Sequence, residues 1–453
     1  MNESEDQESA ADSEAHAGLD SNMAVALFAL GMTAGMLVLL IGFRIVPQHA
    51  ESTTREFEAV RSFAESHFVS EIDDVTLTER ALHGMLEGLD PYSRYHDRGE
   101  AEQARRVIDG DFRGIGVVFQ AGVEEGRVLF PVDGSPAAAA GVRVGDLITS
   151  VDGDSVVGLP REELRARLAP RDRDRITLGI TGLDGAAREV TVVPRVLVDP
   201  TVRHARLIEG APGVGYLTVR SFTNRTAGEF DAAIDGLRAQ GAEAVIVDLR
   251  YNLGGVLDAA IHLAGRFLER GVIVSSEGRW TESEVHRADE IEARFRGMKL
   301  VVLVDGDSAS ASEVLAGALQ DHRAAVVVGE PTYGKGMLQT TRSFPEYGTR
   351  AKVTSAYFYS PSKRNFERTS EPGRDYGILP DVLVEVDRGT RRAVRSWLTR
   401  YDPPASAMAA LSSWQEESGE ELLPELPFDP QLDAAVGLFR GEAPGPRPAR
   451  ELP

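Results

Sequence analysis

From about Gly213 onward, short apolar strands alternate with amphipathic helices, and this alternation limits the possible folds more than any other feature of the chain. GYLTVRSF reads as a strand and EFDAAIDGL as a helix with Phe230, Ile234 and Leu237 on one face. AVIVDLR, LVVLVD and AAVVVGE are further strands, separated by the helices VLDAAIHLAGRFL and SEVLAGALQD. Strands that are apolar along their whole length and linked by helices form a largely parallel sheet with helices on its faces. In such α/β folds, sites gather in the loops outside the carboxyl ends of the strands.

Three such loops carry unusual sequence. The first is Arg250-Tyr251-Asn252-Leu253-Gly254-Gly255, opening a helix at Val256. Paired glycines there leave backbone N–H groups able to face an anion or oxyanion, although a plain strand-to-helix turn uses the same residues. The second is Gly306-Asp307-Ser308-Ala309-Ser310-Ala311-Ser312-Glu313. Any of its serines can cap the following helix; a nucleophilic serine there would have the next N–H as an oxyanion donor. The third runs from Gly329 to Gln339 and holds Lys335 between Gly334 and Gly336. A lysine deprived of solvent can lose its proton and act as a base toward a hydroxyl, which arginine cannot do; an exposed lysine is the simpler alternative. Gln339, four residues on, is either the group that orients such an amine or an ordinary surface residue.

Composition narrows the chemistry. The 453 residues include no cysteine, which excludes thiolate nucleophiles, disulfides and cysteine-ligated metals. A net charge of −22 argues against a nucleic-acid partner. None of the nine histidines lies in the three loops, and no HExxH or comparable cluster occurs, so neither a metal nor any other cofactor is expected. Only four of the 49 basic residues are lysines (Lys299, Lys335, Lys352 and Lys363), a skew that arginine-favouring codons explain except at a position needing a deprotonable amine.

The N-terminal half is organised differently. Residues 1–22 hold seven acids and no base, a composition too polar to build a core and expected to be disordered. Met23 to Phe43 carry no charge over 21 residues, long enough as a helix to cross a bilayer. Phe57, Val60, Phe63, Ala64 and Phe68 recur at helical spacing, and Asp90-Pro91 ends a second helical stretch. From Asp111 to Leu197 the pattern shifts to short strands and glycine turns around one clear helix, REELRARL, as in a small β-rich module. Its segment Phe112-Arg113-Gly114-Ile115-Gly116-Val117 places bare N–H groups before a strand, a geometry that can hold a peptide carboxylate while a strand is added alongside.

In this order and spacing the motifs resemble the carboxyl-terminal processing peptidases, or tail-specific proteases, from about Leu89 to Val386. LDPYSRY resembles the element before the family's PDZ domain, and FRGIGV with SPAAAAGVRVGDLITSVDG resembles the PDZ domain. RYNLGG, DSASASEVLAGALQD and GEPTYGKGMLQ resemble the protease blocks. The resemblance implies Ser310 as nucleophile, Lys335 as general base and Gln339 as the residue that positions it. Oxyanion donors would be Ala311 and one N–H of Gly254-Gly255, and Phe112, Gly114, Ile115 and Gly116 would bind substrate C-termini. The implied fold is an α/β, crotonase-like protease core (199–390) with an inserted PDZ domain (106–198). Around them would lie an acidic tail (1–22), a transmembrane helix (23–43), a helical region (44–105) and a C-terminal helical region with a proline-rich tail (391–453). The expected protein is a single-pass enzyme of the inner (cytoplasmic) membrane with its body outside the cytoplasm. It would act on proteins or peptides with free C-termini, and a homo-oligomer is compatible with this. The competing readings are a non-catalytic PDZ scaffold at the membrane and a histidine-dependent ester hydrolase.

Overall fold

The computed structural model describes residues 48–119, 126–170, 173–280, 282–368, 376–419 and 427–442. The acidic segment 1–22 and the expected transmembrane run 23–43 lie outside the described residues. No helix among those described is long and apolar enough to cross a membrane. The chain divides at Met85 into two units. The first contains α1 (Gln48–His67) and most of α2 (Asp74–Glu87). On α1, Phe57, Val60 and Phe63 are exposed, as is Phe68 just beyond its end.

In the second unit, Asp90 and Pro91 follow the end of α2, and β1 (Arg94–His96) comes next, a strand within a stretch whose sequence reads as helical. α3 (Arg98–Asp109) starts at a capping box formed by Asp97 and Glu100 and stops at Gly110 in the left-handed conformation. The β-rich module then comprises β2 (Asp111–Gly114), β3 (Val117–Phe119), β4 (Val128–Pro131), α4 (Pro136–Ala139), β5 (Leu147–Val151), β6 (Asp154–Ser155), α5 (Arg161–Leu168), β7 (Ile176–Thr181), β8 (Ala187–Val192) and β9 (Arg195–Val198). Val128, Ile148, Leu164, Ile176 and Leu178 form its core. β2 pairs with β9, and Asp199 N–H donates to Gly110 O at 2.9 Å, so the module enters and leaves the fold at one place. β3 pairs only with β4, leaving its other edge without a strand among the described residues.

The remaining elements are β10 (Val202–Leu207), β11 (Val214–Val219), α6 (Thr226–Ala239), β12 (Ala244–Asp248), α7 (Leu257–Gly265), β13 (Val272–Glu277), β14 (Glu284–Arg287), β15 (Lys299–Val304), α8 (Ala311–Asp321), β16 (Val326–Gly329), β17 (Met337–Phe344), β18 (Thr349–Tyr359), β19 (Val382–Leu383), α9 (Arg388–Leu398), α10 (Ala405–Ser418) and α11 (Pro430–Arg440). The central sheet runs β10-β11-β12-β15-β16-β19, parallel throughout except for β10. Side chains alternate across it with the two-residue period of a strand. Val245, Val247 and Val302 face α6, α7 and α8, whereas Ile246, Val301 and Leu303 pack with Trp397 of α9 and Leu432 of α11. Both faces are therefore covered, which is why the inner strands β12, β15 and β16 are apolar over most of their length. A second, antiparallel sheet of β1, β18, β13 and β14, with β17 on β18, was not apparent from the periodicity.

Candidate active site

The loops after β12, β15 and β16 converge at the carboxyl edge of the parallel sheet. Asn252 joins the first two: its Nδ2 donates to Val219 O at 2.8 Å, and its own carbonyl accepts Ala309 N–H at 3.0 Å and Ser312 Oγ at 2.9 Å. Both glycines of the first loop are required by close approach. A β-carbon on Gly255 would lie 2.1 Å from Phe222 O, and one on Gly254 would lie 2.7 Å from Ala309 O.

These contacts sort the three alternating serines. Ser308 is fully buried, with Oγ donating to Leu249 O at 2.9 Å, and Ser312 is fully buried against Asn252. Ser310 alone of the three lines a cavity, of about 60 Å³, with Gly255, Leu257, Ala311, Met337, Gln339 and Phe358 among its walls. Its φ of 57° is one that side-chain-bearing residues rarely adopt, and such strain is kept at sites where the surroundings enforce it. The N–H groups of Gly255 and Ala311, which flank the same cavity, have no acceptor among the described residues. That of Gly254 donates to Asn252 Oδ1 at 2.9 Å, so the free donor of the pair is Gly255. No histidine among the described residues lines the cavity. A larger cavity, about 410 Å³, lies between β4 and α10, lined by Arg143, Leu183 and Trp414 and by none of the candidate catalytic, oxyanion or substrate-binding residues.

Glu313, three residues after Ser310, joins the serine loop to the lysine loop. Its Oε2 accepts the N–H of Ser310 at 2.7 Å and of Lys335 at 2.8 Å. Its Oε1 accepts Thr332 Oγ1 at 2.6 Å and Gly334 N–H at 2.7 Å. Burial pushes the Glu313 carboxyl up, and these four donors oppose that shift. The Ser-x-x-Glu spacing of a capping box was the available signal. Burial also lowers Lys335 below the ordinary lysine value, and nearby Lys352 adds to it, while Glu367, Glu313 and Asp90 pull the other way. No hydrogen bond joins Ser310 Oγ to Lys335 Nζ among the described residues. Apo sites often tighten only when substrate arrives. Gln339 faces the serine cavity, donating to Met337 O at 3.1 Å, and has no hydrogen bond to Lys335.

Behind the first loop lies a buried ionic cluster. Arg250 Nη2 contacts Asp248 Oδ2 at 2.6 Å and Asp429 Oδ2 at 2.7 Å, and Tyr216 OH donates to Asp248 at 2.8 Å. Asp429 also caps α11, so the cluster ties the C-terminal helix to the end of β12. Asp305, raised to about 6 by burial, accepts the N–H of Tyr251 at 3.0 Å and so holds the second loop against the first. In the β-rich module, Phe112 and Gly114 lie in β2, with Ile115 and Gly116 in the link to β3.

Residues 213–384 match peptidase family S41, and residues 128–181 match the PDZ domain. A carboxy-terminal-processing protease of Bartonella bacilliformis is 33% identical over 375 residues, spanning 80% of this chain and 82% of its own. The chain belongs to the S41 carboxyl-terminal processing peptidases. It is a serine-type peptidase with an α/β core and an inserted PDZ domain. A CtpA-like serine protease of Staphylococcus haemolyticus is 34% identical over 313 residues, 68% of this chain and 60% of that one. Among solved structures, a photosystem II D1 C-terminal processing protease is 27% identical, with a TM-score of 0.41 over 73% of this chain and 86% of that one. For this S41 peptidase, the convergence of the three loops supplies the setting in which its chemistry is to be sought.

Proposed function

We propose that the chain is a membrane-anchored endopeptidase that cuts proteins near their C-termini through a Ser310–Lys335 acyl-enzyme mechanism. Neutral Lys335 takes the Ser310 proton as Oγ attacks the scissile carbonyl carbon. The carbonyl oxygen becomes an oxyanion facing the N–H groups of Gly255 and Ala311. The C–N bond then breaks, and the lysine ammonium returns its proton to the leaving amine. Water, deprotonated by the same lysine, hydrolyses the ester. The observation that carries this reading is the strained, cavity-lining Ser310 flanked by two N–H groups without acceptors. Against a non-catalytic scaffold stand the family membership and the free donors; against a histidine base stands the absence of any histidine from the cavity lining.

In the PDZ domain, substrate would add as a strand to the open edge of β3, with its terminal carboxylate near Gly114, Ile115 and Gly116. One assay tests both roles. On an unstructured polypeptide the detergent-solubilised full chain should be active and Ser310→Ala should not. An otherwise identical substrate with an amidated C-terminus should show a KM raised about tenfold through loss of the charged acceptor. Proteolysis by Ser310→Ala would sink the mechanism, and equal KM values would sink the PDZ role.

Anchoring rests on the uncharged run from Met23 to Phe43. The body is assigned to the extracytoplasmic side of the inner membrane by family resemblance. The chain should stay in the membrane pellet after alkaline carbonate washing, with its PDZ domain open to protease only from the extracytoplasmic side. Release by carbonate contradicts the anchor, and digestion only from the cytoplasmic side contradicts the orientation.

A further inference from the structure

The motif LDPYSRY lies outside the three loops, yet the fold brings it against the lysine. Tyr92 places its ring under Lys335, with Nζ 4.5 Å from the ring centre. The contact is held from both sides by one strand. Asp90 Oδ1 accepts the N–H groups of Tyr92 and Ser93 at 2.7 and 2.8 Å, and also Thr354 Oγ1 on β18 at 3.1 Å. Ser93 Oγ donates to Asp90 Oδ2 at 2.6 Å and accepts Thr354 N–H at 3.0 Å. Four residues further along β18, Phe358 N–H donates to Gly336 O at 2.7 Å, fixing the residue after the lysine. Arg94 of β1 pairs with Lys352 of β18, completing the frame.

We propose that Tyr92 is a positioning residue for catalysis, holding Lys335 Nζ on its ring face and stabilising the ammonium that forms when the lysine takes the serine proton. The ring face is electron-rich and attracts an ammonium, more strongly where water is excluded. Tyr92 stays a neutral phenol at working pH, because burial, with the Tyr333 phenol beside it, pushes it up to about 12. The other groups acting on the amine are Lys352 of β18, which disfavours its charge, and Glu367, Glu313 of α8 and Asp90, which favour it. Those carboxylates are engaged elsewhere: Glu313 by its four donors, Glu367 by Gly336 N–H at 2.6 Å, and Asp90 in the turn just described. No salt bridge joins Lys335 to a carboxylate among the described residues, which leaves the ring as the group facing its charge.

This inference rests on the Ser–Lys reading, and its test is separable from that reading. With only four lysines in the chain, 13C labelling at lysine Cε gives four resonances, and Lys335→Arg assigns the one that matters. The measurement is made on the full chain carrying Ser310→Ala, so that it does not depend on turnover. The Lys335 resonance should be moved upfield by the ring current. In Tyr92→Phe, which keeps the ring, that displacement and the titration midpoint should persist. In Tyr92→Leu, which keeps an apolar cover without the ring, the displacement should vanish and the midpoint fall by roughly half a pH unit. In the active enzyme, the acidic limb of kcat/KM should move down by the same amount in Tyr92→Leu, with KM unchanged. A Lys335 midpoint equal in the leucine and parent chains overturns the proposal, as does a phenylalanine variant that behaves like leucine. Should the leucine variant fail to fold, the presence or absence of the ring-current displacement in the parent chain decides. Intact ring effects combined with full activity of Lys335→Arg would instead overturn the Ser–Lys reading alone.

Discussion

Replacing Lys335 with arginine should reduce kcat/KM by at least roughly 10³-fold while leaving the chain folded, since a general base and its nucleophile act as one unit. Arginine keeps the charge, the length and much of the hydrogen-bonding capacity of lysine, but it cannot release a proton at any accessible pH. A lysine that only decorated the surface, or only paired with Glu367, would tolerate the change. The backbone of residue 335 is held independently of its side chain, through its N–H on Glu313. The substitution should therefore cost no more than about 1 kcal/mol of stability, as for changes away from the core. Thermal unfolding alongside initial rates separates the two effects. A variant that retains a tenth of the activity would exclude lysine as the base.

The second large effect concerns stability. Arg250→Met should destabilise the fold by about 3–5 kcal/mol, the usual cost of removing one partner from a buried ionic cluster. Asp248 and Asp429 are almost wholly buried, and both lose their cation at once. Methionine fills most of the space, so the loss measures uncompensated charge more than a cavity. Because Asp429 also caps α11, the C-terminal helix should loosen first, and amides of 430–440 should exchange faster than those of β12. Denaturant unfolding checks the magnitude. A loss under 1 kcal/mol would mean that the helix is held by Leu432, Ala435 and Val436 without help from the cluster.

What could be read from the sequence follows from the range over which each interaction acts. β11, β12, β15 and β16 are apolar over most of their length because both faces of the sheet are covered, a local signal strong enough to place the three loops at one edge. The choice among Ser308, Ser310 and Ser312 was open to local reasoning, because what separates them is hydrogen bonding to Leu249 and Asn252, some sixty positions earlier. Glu313 reads as an ordinary first-turn acid of a helix; its partners Thr332 and Gly334 arrive from a loop about twenty residues on. β1 is a strand through pairing with residues 350–352, against the helical character of its neighbours. The β17–β18 hairpin carries a weaker local signal, the alternation of AKVT within TRAKVTSAYFY, and stands outside the helix-linked pattern of strands.

The pH dependence of kcat/KM for the full chain tests most directly whether a lysine, and no histidine, is the proposed base toward Ser310. Activity requires the neutral amine, so the rate should fall as pH drops through the Lys335 midpoint, which burial holds below the 10.5 of an ordinary lysine. In Lys335→Arg that limb should disappear together with the activity. A limb near the ordinary histidine value of about 6.5 that survives in Lys335→Arg with its rate intact would contradict the mechanism.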